Sequence, residues 1–158
     1  MAGLAFLFPG QASQAVGMGR DLCERYPLAK ARFEEAEDVL SLPLRRLCFE
    51  GPLEELEQTA VTQPAVFVHS VAAAEVLAQQ GVEPACAAGH SLGEYSALTA
   101  AGVFDFATAV RLVQERGRLM QEAGERRPGT MAAIIGLEDT RVARLCREAS
   151  PDGDAVPA

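Results

Sequence analysis

The sequence predicts an α/β fold with a parallel sheet, and three observations support that prediction. Short runs of apolar or small residues, at 4–8 (LAFLF) and within 83–91 (EPACAAGHS), are typical of strands in a parallel sheet. Helical patterns with recognisable ends follow each run. A serine in a Gly-x-Ser-x-Gly frame lies between the second run and the next helix, at the edge where open α/β sheets bind their ligands.

The predicted elements are separated by turn-forming residues. The first strand is predicted to be buried, because its apolar run is continuous, and it ends at a Pro-Gly pair. The helical pattern after it is broken near Pro27. The longest apolar helix has Pro64 in its first turn and Gly81 at its end, which are preferred positions for these residues. In order, we predict a strand over 4–8, helical segments over 18–40, 51–59 and 62–81, a short strand leading to residue 91, helices over 92–101 and 105–123, a strand over 130–137 and a helix over 138–149.

The end of the chain is predicted to form a separate unit. The helix that follows the N-cap Asp105 ends before the polar stretch 124–129 (GERRPG), which is the best candidate for a domain boundary. Residues 1–127 then form the main domain, and residues 128–158 contain one strand and one helix. Because a single strand and a single helix cannot bury their own apolar faces, we interpret this segment as the beginning of a second, small domain.

The composition limits the classes of partner. The 158 residues carry a net charge of −8, which disfavours nucleic acid because its backbone is anionic. The four cysteines are far apart and no histidines are paired at metal-binding spacing, so we predict no metal, no bound cofactor and a cytoplasmic location. The N-terminus lacks the features of a signal peptide, and no stretch approaches the ~18 apolar residues of a membrane span, so no membrane partner is predicted.

The frame from Gly89 to Gly93 predicts a serine nucleophile at Ser91. The turn between strand and helix exposes the hydroxyl, and the two glycines allow the strand and the helix to approach closely. The backbone N–H of Leu92 lies at the start of the following helix, where it could donate to a developing oxyanion. The alternative is a chance turn, which the strand and helix on either side disfavour.

A nucleophilic serine needs a base, and neither histidine of this chain fits that role. His90 is adjacent to Ser91, and successive side chains at a strand end point in opposite directions. We therefore expect His90 to support catalysis by fixing the turn through packing or hydrogen bonding. His69 lies inside an apolar helix, where a buried histidine with satisfied hydrogen bonds is favoured over a base.

Arg116 lies at the edge of the apolar face of its helix, between Val113 and Met120 on a helical wheel. A guanidinium there either binds a partner, such as a carboxylate held by two hydrogen bonds, or reaches solvent along its apolar stem. The wheel does not choose between these two alternatives. Gln63 and Gln11 are weaker candidates, because helix capping and a turn respectively explain their positions.

Several stretches together carry a resemblance to a known family. They are FLFPGQASQAVGMGRDL, TQPAVFVHSVA, AAGHSLGEYSALTAAGVFDFATAVRLVQERGRLMQEA and GTMAAIIGL. In combination they resemble the malonyl-coenzyme A:acyl carrier protein transacylases and the related acyltransferase domains of polyketide synthases, over essentially the whole chain. The start at Met1 with the first strand is typical of a free-standing enzyme of fatty-acid or polyketide synthesis. The resemblance implies an α/β-hydrolase-like large domain over 1–127, and over 128–158 the first strand and helix of a ferredoxin-like small domain.

The resemblance implies a role for each candidate residue. Ser91 would take the malonyl group from coenzyme A, and the backbone N–H groups of Gln11 and Leu92 would form the oxyanion hole. Arg116 would bind the free malonyl carboxylate. The thiol of a carrier-protein phosphopantetheine arm would then attack the acyl-serine, which completes a ping-pong transfer. Two further residues would line the pocket, Gln63 and Met120.

The family is about twice as long as this chain, and the second half would hold the base histidine and the segment that completes the large sheet. We therefore predict a partner in the form of that half, as a continuation or a second chain, and low activity without it. Two alternatives remain: a serine hydrolase, and a non-catalytic module that binds carrier protein or an acyltransferase half. Four arginines are candidates for contact with an acidic carrier protein, Arg45, Arg46, Arg126 and Arg127.

Overall fold

The computed structural model describes residues 3–129, 132 and 134–150, and it has an α/β fold with a small parallel sheet and many helices. The local sequence explains most element boundaries: Pro27 opens α2, and the Asp105 side chain accepts a hydrogen bond from the Thr108 N–H at the start of α7. The elements are β1 Ala5–Phe8, α1 Arg20–Arg25, α2 Pro27–Leu40, α3 Leu44–Glu50, α4 Leu53–Leu56, α5 Thr59–Gln79, β2 Cys86–Gly89, α6 Gly93–Ala100, α7 Phe106–Arg126 and α8 Asp139–Ala149.

The two strands pair in parallel, with Ala5 opposite Cys86 and Phe8 opposite Gly89. The pairing continues past the strand ends, because the His90 N–H donates to the Phe8 carbonyl at 3.1 Å. The loop after β1 and the turn after β2 therefore leave the sheet at the same edge. This edge is the carboxyl end of the strands, where the sequence analysis expects the functional site.

Helix α5 lies at the centre of the main core and packs on α2, α6 and α7. Its Phe67 is fully buried and stacks on Phe106 of α7 with ring centroids 5.9 Å apart. Burial of an apolar side chain of this size contributes about 1.5–3 kcal/mol, so a helix that is buried along most of its length dominates the core. The apolar face predicted for α7 is the face that packs on α5, through Val113 and its neighbours.

Helix α5 is also long and apolar enough to cross a membrane by length and composition, although the sequence analysis predicts no such stretch. Within the described part of the chain it is the one helix that meets this test. The protein buries 67% of its most apolar window, which is the pattern of a core helix. Its apolar character is thus explained by packing on α2 and α7.

The prediction that β1 is a buried strand is wrong for most of its length. Phe8 is buried, but Leu7 is 78% exposed and the adjoining Leu4 is 48% exposed. The described residues form a sheet of only two strands, so the outer edge of β1 is unpaired. An apolar run predicts burial only when further strands or helices cover both faces of the sheet.

Two further differences concern helices. Helix α3 (Leu44–Glu50) was not predicted, because seven residues are too few to show a clear helical period. Helix α5 begins at Thr59, three residues before the predicted start, so Pro64 lies inside the helix and not in its first turn. Pro64 has no N–H to donate to the Ala60 carbonyl, a cost that the buried contacts of α5 offset.

The chain divides into two compact units, residues 1–127 and residues 128–158. In the second unit, α8 forms where the amphipathic pattern predicts it. The strand predicted over 130–137 is absent from residues 132 and 134–137, which pair with no other strand, and residues 130, 131 and 133 lie outside the described residues. The polar end of the sequence, SPDGDAVPA over 150–158, predicts a loop, and residues 151–158 also lie outside the described residues.

Candidate active site

Ser91 occupies a tight turn between β2 and α6, as the Gly-x-Ser-x-Gly frame predicts. Its φ of 54° is in the left-handed region, which is uncommon for a residue with a side chain and is concentrated at functional turns. The residue is exposed at the carboxyl edge of the sheet. The turn therefore presents the hydroxyl to solvent at the N-terminal end of α6.

The two glycines of the frame make this turn possible. A Cβ at Gly89 would lie 1.9 Å from the carbonyl carbon of Gly93, and a Cβ at Gly93 would lie 2.2 Å from the Phe8 carbonyl oxygen. Both distances are far below van der Waals contact, and the atoms involved are backbone atoms that cannot rotate away. The close approach predicted between strand and helix is present, and it includes β1 as well as β2.

Arg116 joins the serine to α5 and α7. Its Nη2 donates to Ser91 Oγ at 2.9 Å, and its Nη1 donates to Gln63 Oε1 at 2.6 Å. The guanidinium carbon also lies 5.8 Å from the centre of the Tyr95 ring, within the range of a cation–π contact. Of the two alternatives left by the helical wheel, the structure shows a partnered guanidinium that is half-buried.

Gln63 is fully buried and orients Arg116. Its Nε2 lies 3.0 Å from Met120 Sδ, a weak acceptor, so the amide oxygen faces the arginine. Helix capping, the alternative for Gln63, does not apply, because its side-chain oxygen accepts from Arg116 and not from a backbone N–H of α5. The structure therefore brings together four of the predicted site residues: Ser91, Arg116, Gln63 and Met120.

The proposed donors of an oxyanion hole lie in the two segments that leave the sheet at this edge. Among the described residues, no acceptor engages the backbone N–H of Gln11 or of Leu92. The Gln11 side chain donates to Thr59 Oγ1 at 3.3 Å, which ties its loop to the first turn of α5. Leu92 has a fully buried side chain that anchors the start of α6 in the core.

His90 packs against the loop after β1 and does not hydrogen-bond to Ser91. A Cβ at Gly10 would lie 2.8 Å from the His90 carbonyl oxygen and 3.0 Å from its Nδ1. That carbonyl also accepts from the Gly93 N–H at 2.9 Å. These contacts connect the serine turn to the loop after β1 and to α6.

His69 differs from its expected state. It is half-buried on α5, and its Nδ1 is buried without a hydrogen-bond partner among the described residues, whereas the sequence favours satisfied hydrogen bonds. Burial lowers the pKa of its imidazole, and the Asp21 carboxylate opposes this only in part. Since Arg116 is the side chain that binds the Ser91 hydroxyl, neither histidine occupies the position of a base within the described part of the chain.

Tyr95 and Gln121 contribute to the site without having been predicted. Tyr95 lies one helical turn after Ser91, a spacing that could have indicated it, and its ring lies under Arg116. Gln121 Oε1 accepts from the backbone N–H of Ala60 at 3.1 Å. That contact joins residues 61 positions apart in the chain, so no local pattern indicates it.

Other candidate groups of the chain have ordinary structural explanations. Burial raises the pKa of the Cys48 thiol to about 12, which keeps this thiol protonated and unreactive. Among the residues that the structure describes, no cluster of His, Cys, Asp and Glu side chains could hold a metal ion. Arg45 pairs with Glu37 at 2.7 Å and Arg46 pairs with Glu55 at 2.9 Å, so their charges are already partly compensated.

The arrangement of exposed serine, free N–H groups and guanidinium can be compared with known proteins. The model of the acyl transferase domain family matches residues 5–153. The chain belongs to the acyl transferase domain family. Among its relatives is the malonyl CoA-acyl carrier protein transacylase of Escherichia coli K12, which is 54% identical over 157 residues, covering 99% of this chain and 50% of the relative.

Two solved acyl transferase structures are similar to this chain. The acyl carrier protein S-malonyltransferase of Vibrio cholerae is 49% identical, with a TM-score of 0.83 over 96% of this chain and 50% of that chain. A malonyl-transacylase in complex with a type II polyketide synthase acyl carrier protein is 45% identical, with a TM-score of 0.83 over 94% of this chain and 48% of that chain. The present chain thus spans about half the length of the relatives that it matches.

Proposed function

We propose that this chain is the serine-bearing half of an acyltransferase that moves a malonyl group from coenzyme A to acyl carrier protein. The observation that supports this most is the position of Arg116, whose Nη2 lies 2.9 Å from the Ser91 hydroxyl oxygen. A malonyl group on Ser91 ends in a carboxylate, and a planar guanidinium beside the serine is the side chain best suited to bind it. The names of the relatives, which are transacylases of malonyl-coenzyme A, agree with this substrate.

The chemistry would proceed in two steps. Ser91 Oγ attacks the thioester carbonyl of malonyl-coenzyme A and loses its proton to a base, while the backbone N–H groups of Gln11 and Leu92 stabilise the oxyanion. The tetrahedral intermediate expels the coenzyme A thiolate and leaves malonyl-Ser91. The base gives its proton to the departing thiolate. It then takes the proton of the phosphopantetheine thiol of acyl carrier protein as that thiol attacks the ester, and passes this proton to Ser91 Oγ when malonyl-carrier protein leaves.

The base belongs to a second half of the protein in this proposal. His69 and His90 do not bind Ser91, and the relatives have about the same length again beyond the segment matched here. We also propose that the second half supplies further strands to the sheet, since the outer edge of β1 is unpaired and Leu7 beside it is 78% exposed. The chain alone should accordingly be a poor catalyst.

The finer description of the fold is part of the same proposal. Residues 1–127 would form the N-terminal part of an α/β-hydrolase-like large domain, and residues 128–158 would begin a ferredoxin-like small domain. The four free cysteines agree with a location in the reducing cytoplasm. Carrier protein would bind near Ser91, because its phosphopantetheine arm must reach the acyl-serine.

The test is the formation of malonyl-Ser91, measured by intact mass spectrometry after addition of malonyl-coenzyme A. The chain is measured alone and with the unmatched second half of the E. coli relative as a separate polypeptide. We expect slow adduct formation by the chain alone, a faster rate with the second half, and no adduct with Ser91→Ala. Ser96→Ala is the matched control, because Ser96 is fully buried and its hydroxyl has no hydrogen-bond partner.

Three results would contradict the proposal. An adduct that persists in Ser91→Ala would place the nucleophile elsewhere. Release of free malonate faster than transfer to carrier protein would indicate a serine hydrolase. The absence of any adduct in both samples, together with binding of carrier protein, would indicate a non-catalytic binding module.

A further inference from the structure

The first turn of α5 is held by side chains from two other parts of the site. Gln121 on α7 accepts from the Ala60 N–H at 3.1 Å, and Gln11 in the loop after β1 donates to Thr59 Oγ1 at 3.3 Å. The first N–H groups of a helix lack partners within the helix, and no side chain at the N-cap of α5 satisfies them. Gln121 therefore caps α5 from a neighbouring helix and fixes the relative positions of α5 and α7.

Gly117 lies where α7 crosses this same turn. A Cβ at position 117 would be 3.1 Å from the Thr59 carbonyl oxygen and 3.2 Å from the Ala60 Cα. Both distances are shorter than ordinary contacts of a side-chain carbon, and both involve backbone atoms of a buried helix. A methyl group at this position would therefore require α7 to move away from α5 by a few tenths of an ångström.

Such a movement would change the position of Arg116, the residue before Gly117 on α7. Arg116 makes one hydrogen bond to Gln63 on α5, at 2.6 Å, and one to Ser91 on the turn before α6, at 2.9 Å. A displaced helix axis lengthens both hydrogen bonds, because their acceptors do not lie on α7. We propose that Gly117 is a positioning residue, whose lack of a side chain lets α7 approach α5 closely enough for Arg116 to contact Gln63 and Ser91 together.

The consequence for specificity rests on the proposed function. If Arg116 binds the malonyl carboxylate, an arginine displaced from Ser91 binds malonyl less well but leaves an acetyl group unaffected, since acetyl has no carboxylate. A methyl group at 117 should therefore lower the preference for malonyl over acetyl. It should do so without removing any group that contacts the substrate.

The structural test compares crystal structures of Gly117→Ala and Gly124→Ala. Gly124 lies on the same helix, and a Cβ there would meet no atom within 4 Å, so it is a matched control for the higher helix propensity of alanine. In Gly117→Ala we expect the distance from Arg116 Nη2 to Ser91 Oγ to exceed the ~3.2 Å of a good hydrogen bond. In Gly124→Ala we expect it to stay at 2.9 Å.

Two structural outcomes would overturn the inference. One is a Gly117→Ala structure in which Arg116 keeps both hydrogen bonds. The other is a Gly117→Ala protein that does not fold while Gly124→Ala does, because the close approach would then be a requirement of the core and not of Arg116. Thermal unfolding followed by circular dichroism detects this second outcome before crystallisation.

The functional test compares Ser91 acylation by malonyl-coenzyme A and by acetyl-coenzyme A, with the second half present. We expect the malonyl-to-acetyl rate ratio to fall about three- to tenfold in Gly117→Ala, since a misplacement of about 1 Å can cost about 100-fold and the expected movement is smaller. We expect the ratio to be unchanged in Gly124→Ala. Arg116→Ala separates the two proposals. If Arg116→Ala keeps the malonyl preference, the proposal that Arg116 binds the carboxylate is wrong. If Arg116→Ala loses the preference but Gly117→Ala keeps it, the positioning role of Gly117 is wrong. If the native protein takes up no acyl group, the proposed function fails and the crystal structures still decide the role of Gly117.

Discussion

The backbone and the side chain of Ser91 are constrained by different parts of the structure. The left-handed φ of 54° belongs to the turn between β2 and α6, where Gly89 and Gly93 allow close contact. The hydroxyl is held instead by Arg116, which comes from α7, 25 positions later in the chain. Local residues thus expose the Ser91 hydroxyl, and a distant residue provides the charge beside it.

Replacement of Arg116 by lysine should slow malonyl transfer to Ser91 even though it keeps the positive charge. Lysine lacks the planar fork that reaches Gln63 and Ser91 together. Loss of one charge-assisted hydrogen bond costs about 1.5–3 kcal/mol, so we expect a decrease in acylation rate of about tenfold or more. The rate is measured by intact mass spectrometry with the second half of the E. coli relative present. The control is Arg111→Lys, since Arg111 is an exposed residue of the same helix. Equal acylation rates for Arg116→Lys and Arg111→Lys would contradict a role for the planar guanidinium.

His69 should make the stability of the protein depend on pH in the mildly acidic range. Burial lowers the pKa of His69 in the folded protein below its ordinary value of 6.5. At a pH between the folded pKa and the unfolded pKa, the unfolded chain therefore binds more protons than the folded chain. The contribution of neutral His69 to the stability of the folded protein is fully present above pH 6.5 and is lost as the pH falls through the pKa of folded His69. His69→Gln removes this titration, so its urea midpoint should decrease less than that of the native protein between pH 7.5 and pH 5.5. Equal decreases in the two proteins would contradict the prediction.

At the scale of elements, the serine turn connects three of them. β1, β2 and α6 meet where the Gly93 backbone lies against the Phe8 carbonyl, and the His90 N–H and carbonyl link the same three elements. Helix α7 is connected to this group through Arg116, and to α5 through the contacts of Gln121 and Gly117. The geometry of the site therefore depends on how α5, α6 and α7 pack.

Gly93→Ala should destabilise the protein strongly. Its Cβ would lie 2.2 Å from the Phe8 carbonyl oxygen, and relief of that clash requires β1 and α6 to separate. We expect a loss of more than about 3 kcal/mol in the free energy of unfolding, which is at the upper end for a single substitution. Urea denaturation followed by circular dichroism measures this change. In the control Gly124→Ala, the added Cβ meets no atom within 4 Å, so the free energy of unfolding should stay the same or rise by up to about 1 kcal/mol. Similar changes in the two variants would disprove the close approach at Gly93.

At the scale of the whole molecule, the main unit has a helical core but an open sheet edge. The core residues of α2, α5 and α7 are almost completely buried, whereas Leu4 and Leu7 at β1 are exposed. Apolar side chains beside an unpaired strand edge are typical of surfaces that pair with another segment. About half of the length of the relatives lies outside the segment that this chain matches.

Leu7→Ser should separate the stability of this chain from its association with the second half. Leu7 is 78% exposed, so we expect its replacement to change the free energy of unfolding of the chain alone by less than about 0.5 kcal/mol. Binding of the second half of the E. coli relative, measured by isothermal titration calorimetry, should weaken about tenfold, because a buried leucine contributes about 1.5–3 kcal/mol. Val103→Ser, at a site that is 60% exposed after α6, is the control. Equal binding by both variants would place the contact surface elsewhere.

Much of this organisation could be predicted from local patterns. Pro27 predicts a break in the helical segment 18–40, Asp105 predicts a helix start, and the glycine-framed serine predicts a turn between strand and helix. Each of these signals acts through its own neighbours in the chain. The start of α5 could not be predicted in this way. Its first turn has no capping side chain of its own and is satisfied by Gln121, 61 positions away.

The sequence by itself determined the exposed serine, its turn and most helices, since these depend on backbone preferences and side chains within a few residues of each other. Only the tertiary structure decided what Arg116 binds, that Gln63 is buried and not a cap, and that β1 is exposed. These three outcomes depend on which surfaces meet: the crossing of α5 and α7 for the first two, and whether the sheet face that carries Leu7 is covered for the third. Helical periodicity identifies the face of a helix that is buried, but it does not specify the neighbouring helix or the distance to it.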